Sequence, residues 1–293
     1  MRHMKGKIPM KKALFALFAL ISLLVFGACS QGTEEAPAGF VLVKGGSFVN
    51  ENSSLYGREI TISDFYIGQY EVTQKEWMDV MESNPSIFPG EDRPVENVTW
   101  YDCIEYCNIR SEKEGLEPYY NIDKETIDEN NLNEEDERKW VVTMNDGANG
   151  YRLPMEVEWE YAASGGQKSK GYLYSGSDDV DEVAWHFSNS GDEYIESLWV
   201  RDAIEDNNLQ SHPVGQKKSN ELGLFDMSGN IREWCFDWYG DSSNPTGGSD
   251  RVWRGGGWMG DEMCCEISYR GYMAPAYSDK YPAPDQGFRL CRG

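Results

Sequence analysis

Histidine is almost missing from this sequence: of 293 residues only His3, His186 and His212 carry an imidazole, and His3 sits at the very start. A catalytic metal held by three imidazoles is therefore excluded once the N-terminus is removed. Positive charge is scarce too, with 27 Lys and Arg against 50 Asp and Glu and a formal net charge of −23. A surface of that sign repels nucleic acid and anionic headgroups, so neither is expected as a partner. There is no P-loop, no G-x-S-x-G elbow and no H-E-x-x-H helix, which removes the usual signatures of nucleotide, acyl-transfer and zinc-protease chemistry. Heptads, βαβ repetition and internal repeats are missing as well. The longest apolar run, Ala13 to Phe26, falls short of the roughly 20 residues a membrane helix needs.

That run has another reading. It follows Arg2, Lys5, Lys7, Lys11 and Lys12 and closes on Phe26-Gly27-Ala28-Cys29, the layout of a secretory signal ending in a lipobox. Residues 1–28 are expected to be a lipoprotein signal peptide, with Cys29 lipidated and tying the chain to a membrane. Met10 is an alternative start. Loss of the five basic residues deepens the formal charge from −23 to −28. Residues 29–38 then read as a flexible tether, small, polar and proline-containing. Ser30 in place of an aspartate favours the outer membrane and the cell surface.

Residues 39–293 are expected to form one large domain. Ten Trp and seventeen Tyr supply core area and, where exposed, binding area at low entropic cost. Six cysteines remain (Cys103, Cys107, Cys235, Cys264, Cys265, Cys291); their spacing leaves any pairing open, and Cys103 and Cys107, one helical turn apart, read as buried. Phe40–Val43 predicts a strand, Gly45–Phe48 a tight turn, and Ile60–Tyr70 two more strand segments. Thr73-Gln74-Lys75-Glu76 reads as a capping box opening a helix through Met81. A second helix is predicted over Trp100–Lys113, and a third over Met155–Gly165 with Pro154 at its first turn and Glu156 and Glu160 facing away from the packed side. Residues 123–139, dense in Asp, Glu and Asn, read as a solvated excursion or hairpin loop. Short strands and long loops without further sustained helix complete an α+β pattern.

Several motifs follow one another along the chain: Gly45-Gly46-Ser47-Phe48, Phe65-Tyr66-Ile67-Gly68, Pro94-Val95-Glu96-Asn97-Val98-Thr99-Trp100, Tyr151-Arg152-Leu153-Pro154, Gly223-Leu224-Phe225-Asp226-Met227-Ser228-Gly229-Asn230, Arg254-Gly255-Gly256 and Gly287-Phe288-Arg289-Leu290. Together they resemble the formylglycine-generating-enzyme (sulfatase-modifying factor) family. The resemblance implies a C-type-lectin-like fold, a scaffold that hosts both enzymes and binders. It also implies where chemistry would sit. The enzymes hold copper between two cysteines, the first lying two residues after the aromatic that follows Arg-Gly-Gly-Ser. Here that place, two after Trp258, is Gly260, and Cys265 falls near the second. One thiolate cannot make the linear two-sulfur site copper(I) favours. The iron-dependent branch of the family needs a histidine-rich site that this chain lacks. The expectation is no catalytic residue and no catalytic cofactor. A structural calcium ion is implied at Asp226, Gly229, Ile231 and Glu233, which match the family's calcium loop; the alternative is the same loop held by hydrogen bonds alone.

The last forty residues mix scaffold-like pieces with positions that obey no periodicity: Trp253, Gly257, Met259, Gly260, Asp261, Met263, Tyr269, Gly271, Tyr272, Met273, Tyr277, Ser278, Asp279, Tyr281 and Asp285. This resembles the variable region of retroelement-diversified proteins. It implies a variable ligand-binding region over about 251–290 whose ligand is a protein or a glycan. The alternatives are an extracytoplasmic enzyme or maturation factor of the same family, and a fixed structural envelope lipoprotein.

Overall fold

The computed structural model describes residues 36–50, 53, 59–196, 200, 202–240 and 246–293. The expected signal peptide, Cys29 and most of the tether lie outside the described residues. Ala36–Gly293 form one compact unit. Its architecture is the α+β, C-type-lectin-like one.

Strands β1 (Phe40–Val43), β2 (Gly46–Phe48), β3 (Ile60–Ile62) and β4 (Phe65–Gly68) come first, followed by α1 (Gln74–Met81) and α2 (Trp100–Lys113). Segment 46–48, expected as a turn, instead pairs antiparallel with β3, Gly46 opposite Ile62. Gly45 makes the junction: a Cβ there would stand 2.2 Å from the carbonyl of Ile62. Both helices open on capping boxes. The Thr73 hydroxyl accepts the Glu76 N–H at 3.2 Å while Glu76 takes the Thr73 N–H at 3.0 Å, and Thr99 and Asp102 do the same at 3.0 and 2.9 Å. Each cap contributes about 1 kcal/mol. The chain continues through β5 (Tyr120–Ile127), β6 (Trp140–Met144), β7 (Tyr151–Arg152) and α3 (Glu156–Ala163), with Met155 as N-cap and Pro154 just outside the helix. Two short helices, α4 (Val180–Val183) and α5 (Asp202–Asp206), precede β8 (Arg232–Trp238), β9 (Arg251–Arg254), β10 (Gly271–Met273), β11 (Gln286–Gly287) and β12 (Cys291–Arg292).

Two four-stranded sheets result, ordered β1-β4-β12-β7 and β10-β9-β8-β11. The last strand of the chain thus lies between β4 and β7, closing the N-terminal sheet with C-terminal residues. Many aromatic side chains among the described residues are core: Trp100, Trp159, Trp234 and Trp258 are fully buried. Trp77 stacks on Tyr106 with ring centroids 5.2 Å apart and planes 2° from parallel. All six cysteines are free thiols, and all but Cys264 are buried; Cys103 and Cys107 pack in the α2 core as expected.

The acidic stretch is not simply solvated. Residues 120–144 form a hairpin, β5 against β6, whose connecting loop buries Asn131 and Asp136 against the Tyr101 hydroxyl. Its short polar side chains serve the loop itself: Asp128, Asn131, Asn133 and Asp136 each accept N–H groups two or three residues on, the local turn chemistry of Asp and Asn.

Candidate functional site

The C-terminal segment is pinned from behind by charge. Arg254, fully buried on β9, pairs with Glu160 at 2.5 Å and Glu156 at 3.4 Å, and Arg270 takes both oxygens of Glu156 at 2.6 and 2.7 Å. Glu156 and Glu160, expected to face away from the packed side of α3, are themselves buried. Arginines that come from more than ninety residues later convert that face of the helix into an interior one. Burying charge this way holds geometry more than it stabilises, and breaking one partner is strongly destabilising. Arg251, also buried, lies between the rings of Trp238 and Trp100 at 3.5 and 3.8 Å.

In front of this frame β8, β9 and the following loops border an open cavity of about 270 Å³ lined by Arg232, Trp253, Gly256, Gly257, Met259, Gly260, Cys264, Tyr269 and Asp285. Trp253, Gly257, Met259, Gly260, Tyr269 and Asp285 are sequence-predicted contacts. Arg232, Gly256 and Cys264 are additional. Arg232 lies on β8, well before the segment expected to vary, and nothing in the local sequence pattern marks it as part of the site. Its guanidinium pairs with Asp285 and stands over the Trp253 ring at 5.1 Å. Trp253 in turn lies 5.7 Å from Tyr269. The Cys264 thiol and the Tyr269 hydroxyl hydrogen-bond to one another, and burial raises both, Tyr269 to about 12, so both stay neutral near pH 7.

The other predicted contacts divide. Asp261 and Met263 are exposed beside the cavity on the turn that carries Cys264, and Tyr272 is exposed with its ring 4.4 Å from Tyr239. Met273 is half-buried beside the core. Gly271 is buried under Trp253. Tyr277, Ser278, Asp279 and Tyr281 form a second group against the acidic hairpin, where Tyr277 and Tyr281 pack at 5.2 Å. Asp279 is spent there, held by Arg138 of the hairpin at 2.7 Å.

The two adjacent cysteines face different ways. Cys265 is buried among Tyr174, Val180, Val183 and Ala184, away from the cavity. Cys264 is the thiol in the cavity wall, and a Cβ on Gly260 would lie 3.4 Å from its Cβ. Gly260, at the first place of the pair, has no side chain, and Cys265, which falls near the second, does not face the cavity.

The expected calcium loop fits only in part. Both oxygens of Glu233 are taken, by Arg289 at 2.6 Å and by the Trp159 indole at 2.7 Å. Asp226 accepts the Gly215 N–H through Oδ2, while its Oδ1 is buried without a partner. Glu71 beside them accepts from Asn230 and the Ile231 N–H. Among the described residues no three His, Cys, Asp or Glu side chains form a ligand set.

Residues 25–293 match the family described as the sulfatase-modifying factor enzyme 1-like domain. The chain belongs to this family. It is 53% identical over 283 residues to a protein of Paenibacillus barcinonensis named Chaperone protein LppX, covering 96% of this chain and 99% of that one. The formylglycine-generating enzyme of Streptomyces coelicolor is 32% identical over 154 residues, 47% of this chain and 44% of that one. Among solved structures, Treponema denticola variable protein 1 superposes with a TM-score of 0.69 at 31% identity, covering 87% of this chain and 94% of its own. CarF, at 24% identity and a TM-score of 0.63, shares the fold.

Proposed function

We propose that this chain is an exported, lipid-anchored binding protein that holds a macromolecular partner on the surface built by residues 251–290, and that it is not an enzyme. The observation that carries the reading is the cavity wall itself. It presents one neutral thiol, Cys264, opposite a glycine, Gly260, which offers copper(I) one sulfur where the family's oxygen-activating site uses two. What remains is a concave, aromatic-walled site with exposed Met263, Tyr272 and Tyr281 elsewhere on the segment, chemistry suited to adaptable contact.

Two resemblances support a protein as the partner: one relative carries the name chaperone, and the fold is that of a variable protein. Export, lipid on Cys29 and display at the outer surface rest on the N-terminal sequence. Diversification by a retroelement rests on the residue pattern and on that same structural likeness. It is tested by sequencing the flanking DNA for an adenine-substituted copy of the codons for 251–290 beside a reverse-transcriptase gene. Non-enzymatic function is tested by copper(I) titration and by an assay for cysteine oxidation in a sulfatase-type peptide; stoichiometric copper with turnover would overturn it. A structural calcium ion is proposed only at the unspent oxygen of Asp226, with the carbonyls of Gly229 and Ile231. A melting temperature identical in calcium and in chelator counts against it.

A further inference from the structure

We infer that the paired rings of Tyr277 and Tyr281, together with the exposed carboxylates of the neighbouring hairpin, form a docking surface for a basic segment of a protein partner, an arginine- or lysine-bearing stretch laid across both. The inference rests on the binding reading above and names the chemistry of the partner.

The rings come first. Tyr277 and Tyr281 pack with centroids 5.2 Å apart, and Tyr281 is 51% exposed. They share a shallow depression with Asn133, Glu135 and Lys280, so rings and hairpin meet at one place. Elsewhere the chain covers aromatic faces with its own cations: Lys124 and Arg138 stand over Trp140 at 4.3 and 5.3 Å, and Lys217 over Trp185 at 4.1 Å. Such faces attract cations, yet among the described residues none stands over Tyr277 or Tyr281. Lys280, between them in sequence, turns its ammonium to the Glu135 carbonyl at 2.7 Å and the Glu137 carboxylate at 3.3 Å instead.

Charge comes second. Residues 123–139 hold eight Asp and Glu against three Lys and Arg, and all three cations are turned onto the protein: Lys124 to Glu105, Arg138 to Asp102 and Asp279, Lys139 to the Asn131 carbonyl. The carboxylates are not matched in return. Glu129, Glu134 and Glu135 are exposed, with no Lys or Arg side chain paired to them among the described residues, and Glu137 keeps 86% of its side chain open beside Lys280. A partner reaches all four directly from solvent.

Rings and carboxylates are also held in one frame, because Arg138 of the hairpin grips Asp279 at 2.7 Å while Lys280 ties the turn to Glu135 and Glu137 from the other side. One class of occupant uses both halves. A guanidinium or ammonium head pairs with the carboxylates while its stem and face lie on the rings. An acidic segment is repelled, and an uncharged one leaves the carboxylates unused. Nucleic acid and anionic headgroups are repelled as well. A hydrated metal ion has no use for the rings, and no three His, Cys, Asp or Glu side chains among the described residues form a ligand set.

The test titrates the full chain, purified in a neutral detergent, with the capped peptide RGRGRGR by calorimetry, and with SGSGSGS and EGEGEGE as comparisons. Saturable one-to-one binding of RGRGRGR alone, weakening as salt is added, is the expected result. Tyr281→Ala and the pair Glu134→Gln/Glu135→Gln should each weaken it at least about threefold, the scale of an exposed cation–ring or ion-pair contact, while the melting temperature shows every variant folded. The pair Glu193→Gln/Glu205→Gln removes the same charge from the exposed region around α5, which packs on Trp258 rather than on the hairpin, and should leave binding as it was. Equal weakening by that pair, no change on Tyr281→Ala, or saturation by SGSGSGS overturns the docking surface.

Peptides selected on the wild-type chain from a random displayed library separate this surface from the wider binding reading. Peptides rich in arginine or lysine that lose affinity on Glu134→Gln/Glu135→Gln and on Tyr281→Ala support both. Loss on Met263→Asp or Tyr272→Asp, with indifference to the hairpin pair and to Tyr281→Ala, keeps the binding reading and removes the basic-segment surface. Indifference to all of these variants removes both.

Discussion

The indole of Trp253 occupies the place where a side chain on Gly271 would begin: a Cβ there would lie 2.0 Å from Cε2 and Cζ2 of the ring. The two residues face each other across the β9–β10 pair, and the indole N–H donates to the Tyr272 carbonyl at 3.1 Å. Trp253 is also a wall of the cavity, so Gly271, with no side chain of its own, sets where that wall stands.

Gly271→Ala is therefore expected to displace the ring and cost about 1–3 kcal/mol, the range of overpacked sites. Shortening the partner in the double variant Trp253→Val/Gly271→Ala should recover part of that loss. A double-mutant cycle by chemical denaturation reads the coupling directly. Additive losses would mean the ring has room the structure does not show. If the segment varies in nature, these two positions must vary together.

Arg138 links the hairpin to the second group of tyrosines. It grips Asp279 with two nitrogens and Asp102 with the third at 2.8 Å, while its guanidinium stands 5.3 Å over Trp140. Arg138→Met is expected to lower stability modestly, by about 1 kcal/mol, because the pair is partly solvated. The more telling readout is hydrogen exchange, which should rise over 277–281 and leave β8 and β9 unchanged. Unchanged protection at 277–281 would show that the hairpin is not what orders this segment.

Much of this was legible beforehand, and what was not shares one cause. The capping boxes at Thr73 and Thr99 and the periodicity behind them mark α1 and α2 because those signals are local. Glu156, Glu160 and Asp279 read as solvent-facing or ligand-facing because their partners, Arg254, Arg270 and Arg138, are far away in sequence. Local pattern carries no information about such pairs. That Cys264 and not Cys265 faces the cavity depends on the short turn that carries them, because adjacent residues there point in different directions. Segment 46–48 became a strand because a partner strand was available, a tertiary effect that outweighs turn propensity.

Restoring the missing thiol tests the cavity geometry. A Cβ at position 260 would stand 3.4 Å from that of Cys264, close to the 3.5–4.5 Å of disulfides. Gly260→Cys is expected to form a 260–264 disulfide in air and, when reduced, to bind copper(I) more tightly than the parent does. Peptide mapping decides it. A bond to Cys265 instead, or none, would mean the wall is arranged differently.

Glu96 gives the domain a pH dependence of unusual sign. Its carboxylate is buried, accepts the N–H groups of Ile87 and Phe88 through Oε1, and leaves Oε2 without a partner. Burial pushes it up from the ordinary 4.5 to about 7, against the pull of those two donors. An acid raised on folding favours the folded state while protonated. The contribution is full below about 4.5 and is lost as pH climbs through about 7. Asp237, raised to about 7 by burial and by neighbouring Glu156, acts in the same direction. Glu96→Gln keeps an acceptor for both N–H groups and cannot ionise. It should match the parent at pH 4 and exceed it at pH 8, by up to about 3 kcal/mol before relaxation. Urea denaturation at the two pH values is the measurement, and an equal difference at both would mean Glu96 titrates as if exposed.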